Sequence, residues 1–363
     1  MKQRIYLTLW TIVIPLLAWL AYGGSLLTGF ENPFFHPVIA FLLIGSVLAA
    51  VHHAEVVAYR MGEPFGTLIL AVAITIIEVS LIVSLMLTDS GQSTATLARD
   101  TVLAAVMIIL TGIVGICLLV GGVRYREQVF SLQGVSAALV TLTAILVFTL
   151  ILPNFTTSTS GSEYTSLQLG FVASGCLILY IAFTLVQAIR HRAYFLPPHA
   201  EGDEDAYPEP PTKKETYVSA LLLILCLGIV VLLAEVLAPD IESIVEQAGA
   251  PKSLVGIIIA AIVLLPEGLA AFRAARKNRL QTSLNLAFGS ALASIGLTIP
   301  AVAIVSITTG MKIILGIDMK AMVLLVLAQF TIMLSLATGR TNILQGIVLL
   351  MIFLVYIFLT IAP

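Results

Sequence analysis

Eleven apolar runs, each long enough to cross a hydrocarbon core of about 30 Å as a helix, divide this chain of 363 residues. They cover Ile5–Tyr22, Val38–Tyr59, Phe65–Leu87, Thr101–Val120, Ser136–Leu152, Leu167–Ile189, Tyr217–Leu237, Leu254–Phe272, Leu284–Thr308, Met319–Thr338 and Ile343–Ile361. Inside lipid, backbone N–H and C=O groups must find partners within the protein, which leaves helices or closed barrels. The runs are continuous and do not alternate apolar with polar residues, so a barrel is excluded. With 59% hydrophobic and 10% charged residues, a soluble domain is excluded too. The expected fold is an all-α polytopic membrane protein of eleven transmembrane helices. The first run follows Lys2 and Arg4 as a signal peptide would, but it is too long for one and reads as a retained span.

Two runs carry a carboxylate far from either end. Glu78 lies only about 3 Å from the centre of its run at 1.5 Å per residue, too deep to reach either surface. Glu267 follows Pro266 and precedes Gly268 in the run that starts at Leu254. An ionised carboxylate at such depth costs on the order of 2.5–3.5 kcal/mol, so each must face a protein interior or a wet cavity. The two are read as a pair, either functional or protonated and hydrogen-bonded as packing.

All but four of the 18 Lys and Arg residues fall on one side if the N-terminus is cytoplasmic; the exceptions are Arg99, Lys252, Lys312 and Lys320. The positive-inside rule therefore predicts the N-terminus inside and the C-terminus outside. Residues 196–216 form a Pro-rich polar linker holding Glu201, Asp203, Glu204, Asp205 and Glu209. It is either a solvated connection or a cytoplasmic acidic patch that gathers cations. The expected division is an extra N-terminal helix (1–30), a five-helix half (31–195), this linker, and a second half (217–363). Because five is odd, the second half must run inverted. Glu78 and Glu267 stand in the second span of each half, and inverted repeats meeting at mid-membrane are a transporter architecture.

Around each carboxylate stand further candidate ligands. Pro266 lacks an N–H and should release the carbonyl of Ile262, and Gly268 should let the helix break there. Ser290 and Ser294 share one helix face, as ligands or as close packing, and Pro300 should release the carbonyl of Gly296. Thr75 shares the face of Glu78, as a second ligand or bonded back to its own helix. Thr111, Gly112 and Gly115 read as a packing face, and Asp100 as a charge at a helix start. His52, His53 and Glu55 near a cytoplasmic helix end are ordinary interface residues or a pH-sensing group. Cys117, Cys176 and Cys226 lie within apolar runs and are spaced for neither a metal nor a disulfide.

The segments HAEVVAYRMGEPFGTLILAVAITIIEVSLI and LLPEGLAAFRAARKNRLQTSLNLAFGSALASIGLTIP resemble the two signature repeats of the calcium/cation antiporter superfamily, in its cation/proton exchanger branch. GGVRYREQ and GRTNILQG are further matches, and the likeness spans nearly the whole chain. The resemblance, to bacterial members above all, implies a cytoplasmic-membrane antiporter with one extra helix and two inverted five-helix repeats. It implies exchange of a cation for protons at Glu78 and Glu267, and an acidic segment between the halves. Most of the branch carries Gly-Asn before each glutamate; here Ile74-Thr75 and Val263-Leu264 stand there, and Gly268 replaces a frequent His.

The function expected is a secondary antiporter, not an enzyme, in which two carboxylates hold one divalent cation or two protons in turn. Calcium is the expected ion, sodium or potassium the alternative, and either is the transported substrate, with no cofactor expected. Partners are the cation, protons and the bilayer, with a homo-oligomer compatible. Scattered basic residues argue against nucleic acid. A channel would want a ring of like charges or carbonyls, and an intramembrane protease paired Asp, a Ser dyad or HExxH, none of which occurs in the deep spans.

Overall fold

The computed structural model describes residues 8–28, 35–61, 72–73, 75–80, 82–83, 92–159, 161–196, 211–247, 249, 251 and 253–362. Apart from one two-stranded ladder, their regular structure is helical. Nine helices among these residues are long and apolar enough to span a bilayer, and a shorter apolar helix covers Leu9–Gly24. The linker carboxylates Glu201, Asp203, Glu204, Asp205 and Glu209 lie outside the described residues. Two compact units emerge, each drawing on both sides of that linker: Met1–Thr88 with Glu201–Gly249, and Asp89–Ala200 with Ala250–Pro363.

The first unit holds α1 (Leu9–Thr28), α2 (Phe35–Met61), α3 (the described helical residues of 72–83) and α8 (Lys213–Gln247). α1 is seated on its neighbours by close contacts. A Cβ at Gly45 of α2 would lie 2.7 Å from Ile14, and Trp19 Nε1 donates to the Leu225 carbonyl of α8 at 3.1 Å. Pro15 leaves the Thr11 carbonyl without its helical donor. Buried His53 of α2 approaches that carbonyl with Nε2 at 3.1 Å. α2 and α8 are antiparallel: His36 pairs with Asp240 at one end, and Arg60 donates to the Pro211 carbonyl at the other.

The second unit holds α4 (Gln92–Met107), which passes through a π-helical turn at Ile108–Ile113 into α5 (Val114–Tyr125). There follow α6 (Leu132–Leu146), α7 (Ser166–Leu185), α9 (Ser253–Arg276), α10 (Leu280–Thr309), α11 (Met319–Leu336) and α12 (Ile343–Ile361). Capping boxes Thr165/Gln168 and Asn342/Gln345 start α7 and α12 by satisfying first-turn N–H groups. At one end of the unit Arg99 donates to Gly316 O, Gly316 N to Ser162 O, and Asn154 to Ile317 O. At the other end Tyr125 donates to Arg276 O, Gln128 to Ala275 O, and the strand Gln128–Val129 pairs antiparallel with Arg340–Thr341. Loops alternate between the two ends in chain order, as consecutive membrane crossings require. α4–α5 consequently runs opposite to α10, α6 opposite to α11, and α7 opposite to α12.

Glycines of α5 face α12 as the small-residue pattern suggests. A Cβ at Gly115 would meet Leu350 at 3.0 Å, and one at Gly346 would meet Leu119 N at 2.4 Å. Cys117, Cys176 and Cys226 are buried and outside any disulfide.

Two expectations are corrected. Asp100 does not start its helix, because α4 begins at Gln92; the polar turns QSTATLAR are helical although hydropathy alone would leave them out. Asp100 is instead bonded to Arg99 Nε at 2.8 Å. Nor does the helix break at Pro266: α9 is continuous from Ser253 to Arg276, and α10 likewise runs through Pro300. Losing one helical bond is tolerated in a packed helix whose neighbours hold both sides.

Candidate functional site

Both deep carboxylates are buried, Glu78 belonging to the first unit and Glu267 to the second. In the first, Glu78 is 4% exposed, on the inner face of α3 with Ala73, Thr75, Ile77 and Ile82, while Ile76 turns outward. Thr75 is buried one turn before Glu78. In the second, Glu267 is 7% exposed on α9, and Ser290 of α10 donates to its Oε1 at 3.5 Å. Ser294, one turn further along α10, is buried on the same face. Gly268 lets α9 approach the π-helical turn, since a Cβ there would lie 3.2 Å from Ile113. Thr111 in that turn donates to Met107 O at 2.5 Å. The carbonyl of Ile262 lies one turn before Glu267, inside the continuous helix.

The remaining expected residues lie elsewhere. His53 is bonded to α1, and His52 is edge-on to it at 5.6 Å between ring centres, with Glu55 on the next turn of α2. This group belongs to the first unit, about two turns before the end of α2 at Met61, and His53 is the member of it bonded to α1. Sequence reasoning missed the π-helical turn beside Gly268, and it missed Thr298, which continues the four-residue spacing of Ser290 and Ser294. That spacing was the signal that could have found it.

Among the described residues no group of three or more His, Cys, Asp and Glu side chains is placed to hold a metal. A cation held beside either carboxylate would draw its further oxygens from hydroxyls, carbonyls and water.

Residues 35–189 and 218–362 match the family model described as sodium/calcium exchanger protein. The chain belongs to that family. Among curated relatives, the putative ionic transporter y4hA of Sinorhizobium fredii is 46% identical over 89% of this chain and 87% of its own length. The sodium-potassium/proton antiporter ChaA of Escherichia coli is 33% identical over 87% of this chain and 85% of its own. The solved structure of native YfkE superposes with a TM-score of 0.72 at 19% identity, covering 97% of this chain and 100% of that one. The H+/Ca2+ exchanger CAX gives 0.71 at 15% identity, covering 96% and 87%. Both structures share the exchanger fold. The chain is thus a multi-pass membrane cation antiporter of the exchanger family, and a transporter rather than an enzyme.

Proposed function

We propose that this exchanger moves calcium out of the cytoplasm against protons entering from outside, with Glu78 and Glu267 as the shared binding pair. The observation that carries the reading is the burial of one carboxylate in the second span of each half, with hydroxyls on neighbouring turns. Two carboxylates neutralise one divalent cation or take up two protons, so each state can replace the other without leaving charge stranded in the membrane. Calcium takes six to eight oxygens, roughly, which the pair, Thr75, Ser290, Ser294, the Ile262 carbonyl and water can supply. The halves at 31–195 and 217–363 would be inverted copies, with the N-terminus in the cytoplasm and the C-terminus outside, as the scarcity of Lys and Arg on the outer side supports.

A second reading is exchange of sodium or potassium for protons. Ile74-Thr75 and Val263-Leu264 supply no amide oxygen beside the carboxylates, which lowers the ligand number available to a divalent ion. The Escherichia coli relative carries a sodium-potassium/proton name.

Reconstituted vesicles given an imposed pH gradient, with calcium, sodium and potassium supplied separately, test both. Uptake of calcium against its gradient supports the first reading. Uptake of sodium or potassium alone replaces it with the second, and uptake of none defeats both.

A further inference from the structure

A file of hydroxyls leaves Glu267 along one face of α10. Ser290, which donates to the carboxylate, is followed at four-residue intervals by Ser294 and Thr298. Each step turns the helix by only roughly 40°, so the three share a face. Gly296 lies on the opposite face, where a Cβ would meet Tyr180 of α7 at 2.8 Å.

Thr298 is fully buried and its hydroxyl has no hydrogen-bond partner among the described residues. That sets it apart from Thr111, Thr143, Thr149 and Thr184, each of which bonds back to the carbonyl four residues earlier. One other buried helical threonine of this unit shares its condition: Thr101 of α4, 1% exposed. A Cβ at Gly256 of α9 would lie 3.4 Å from the Thr101 hydroxyl, which fixes its level along the bundle. At 1.5 Å per residue, Thr298 lies about 12 Å from the level of Ser290, and Gly256 with Thr101 about 16 Å from the level of Glu267, both towards the same end. Asp100, 18% exposed, stands next to Thr101 at that end.

We infer that Thr298 and Thr101 form the proton route between Asp100 and Glu267. This rests on Glu267 being a proton-loading carboxylate, as proposed above. A cation ligand is the other use for a buried hydroxyl, but the oxygens around one calcium lie within about 2.3–2.6 Å of it. Thr298 is too distant for the shell at Glu267. Nor does the file offer a dehydrated cation a shell of its own, because Ile295 and Val302, α10 positions adjoining Thr298 on its own face, are buried and carry no side-chain oxygen. A proton needs only one oxygen per step. Successive hydroxyls one turn apart, about 6 Å, are spanned by a single bridging water. Each oxygen accepts a proton on a lone pair and releases its own to the next, so a proton taken up at Asp100 ends on the Glu267 carboxylate with only O–H bonds made and broken. In the proposed orientation this end faces outside, where the entering protons originate.

The test uses the full chain in vesicles, with whichever of calcium, sodium or potassium the unmodified protein carries. Two modes are compared: pH-driven uptake, and isotope exchange of the same cation at equal pH, which needs no proton. Thr298→Val keeps the shape and removes the hydroxyl; Thr298→Ser keeps the hydroxyl; Thr298→Ala gives a second reading if the valine variant does not insert. Thr298→Val and Thr101→Val are expected to slow pH-driven uptake roughly tenfold, the rate equivalent of one lost hydrogen bond, leaving isotope exchange within about twofold. Thr298→Ser should match the unmodified protein. An unchanged pH-driven rate in Thr298→Val, equal slowing of both modes, or a serine variant as slow as the valine one overturns the route. Glu267→Gln is measured alongside: pH-driven uptake surviving there removes the carboxylate reading, whereas its loss together with a normal Thr298→Val removes the route alone.

Discussion

His53 of α2 donates from Nε2 to the carbonyl of Thr11 in α1, the acceptor that Pro15 cannot reach. The imidazole thereby replaces a main-chain donor, and the N-terminal helix is held by a bond its own backbone lacks. His53→Phe should destabilise the protein by about 1–3 kcal/mol, because a buried carbonyl is left without a partner. Pro15→Ala restores an N–H at position 15, so the double variant should recover much of that loss. Thermal unfolding of the four proteins in detergent forms the cycle. Additive losses would show that the two residues do not share the Thr11 carbonyl.

Glu78→Gln and Glu267→Gln should each abolish exchange while leaving an inserted protein, since the amide keeps the shape and removes the charge. Groups that act as one unit are not additive, so the double variant should be no worse than either single one. The measurement is cation-driven proton flux in vesicles. Substantial flux in either single variant would reject the shared pair.

Apparent cation affinity should rise with pH, because each proton lost from the pair frees an oxygen for the cation. If one calcium replaces two protons, log affinity against pH should climb with a slope of about two and flatten once both groups are ionised; a monovalent ion replacing one proton gives about one. Affinity that ignores pH would rule out direct competition.

Gly346→Ala should cost about 1–3 kcal/mol by overpacking. Its Cβ would lie 2.4 Å from Leu119 N and 2.9 Å from Gly115 O, backbone atoms that cannot rotate away. Gly175→Ala on α7 is the control, as nothing lies within 4 Å of its Cβ position. Equal unfolding midpoints for the two variants would refute the close packing of α5 on α12.

Much of this was legible in the residue order. Apolar runs and lone charges leave a compositional trace, so the spans and both glutamates stood out, as did the packing face Gly112–Gly115. Asp100 was misplaced because hydropathy does not register the polar turns from Gln92. The continuity of α9 was missed because a proline shows what a helix loses and not what its neighbours hold in place. The bond between His53 and Thr11 joins residues 42 apart, beyond any local pattern. Thr298 was visible as a continuing interval, but no sequence shows whether a hydroxyl bonds back to its own helix.

The π-helical turn at Ile108–Ile113 divides the work of a single membrane span. One added residue rotates everything beyond it by about 100° against a regular helix. Before the turn, Thr101 is aimed at α9; after it, Gly115 is aimed at α12. A regular helix of the same sequence would satisfy one neighbour and swing the other contact off target. Shortening the span by one residue within Ile108–Ile113 is therefore a register change, felt at Thr101 and at Gly115 although neither residue has been altered.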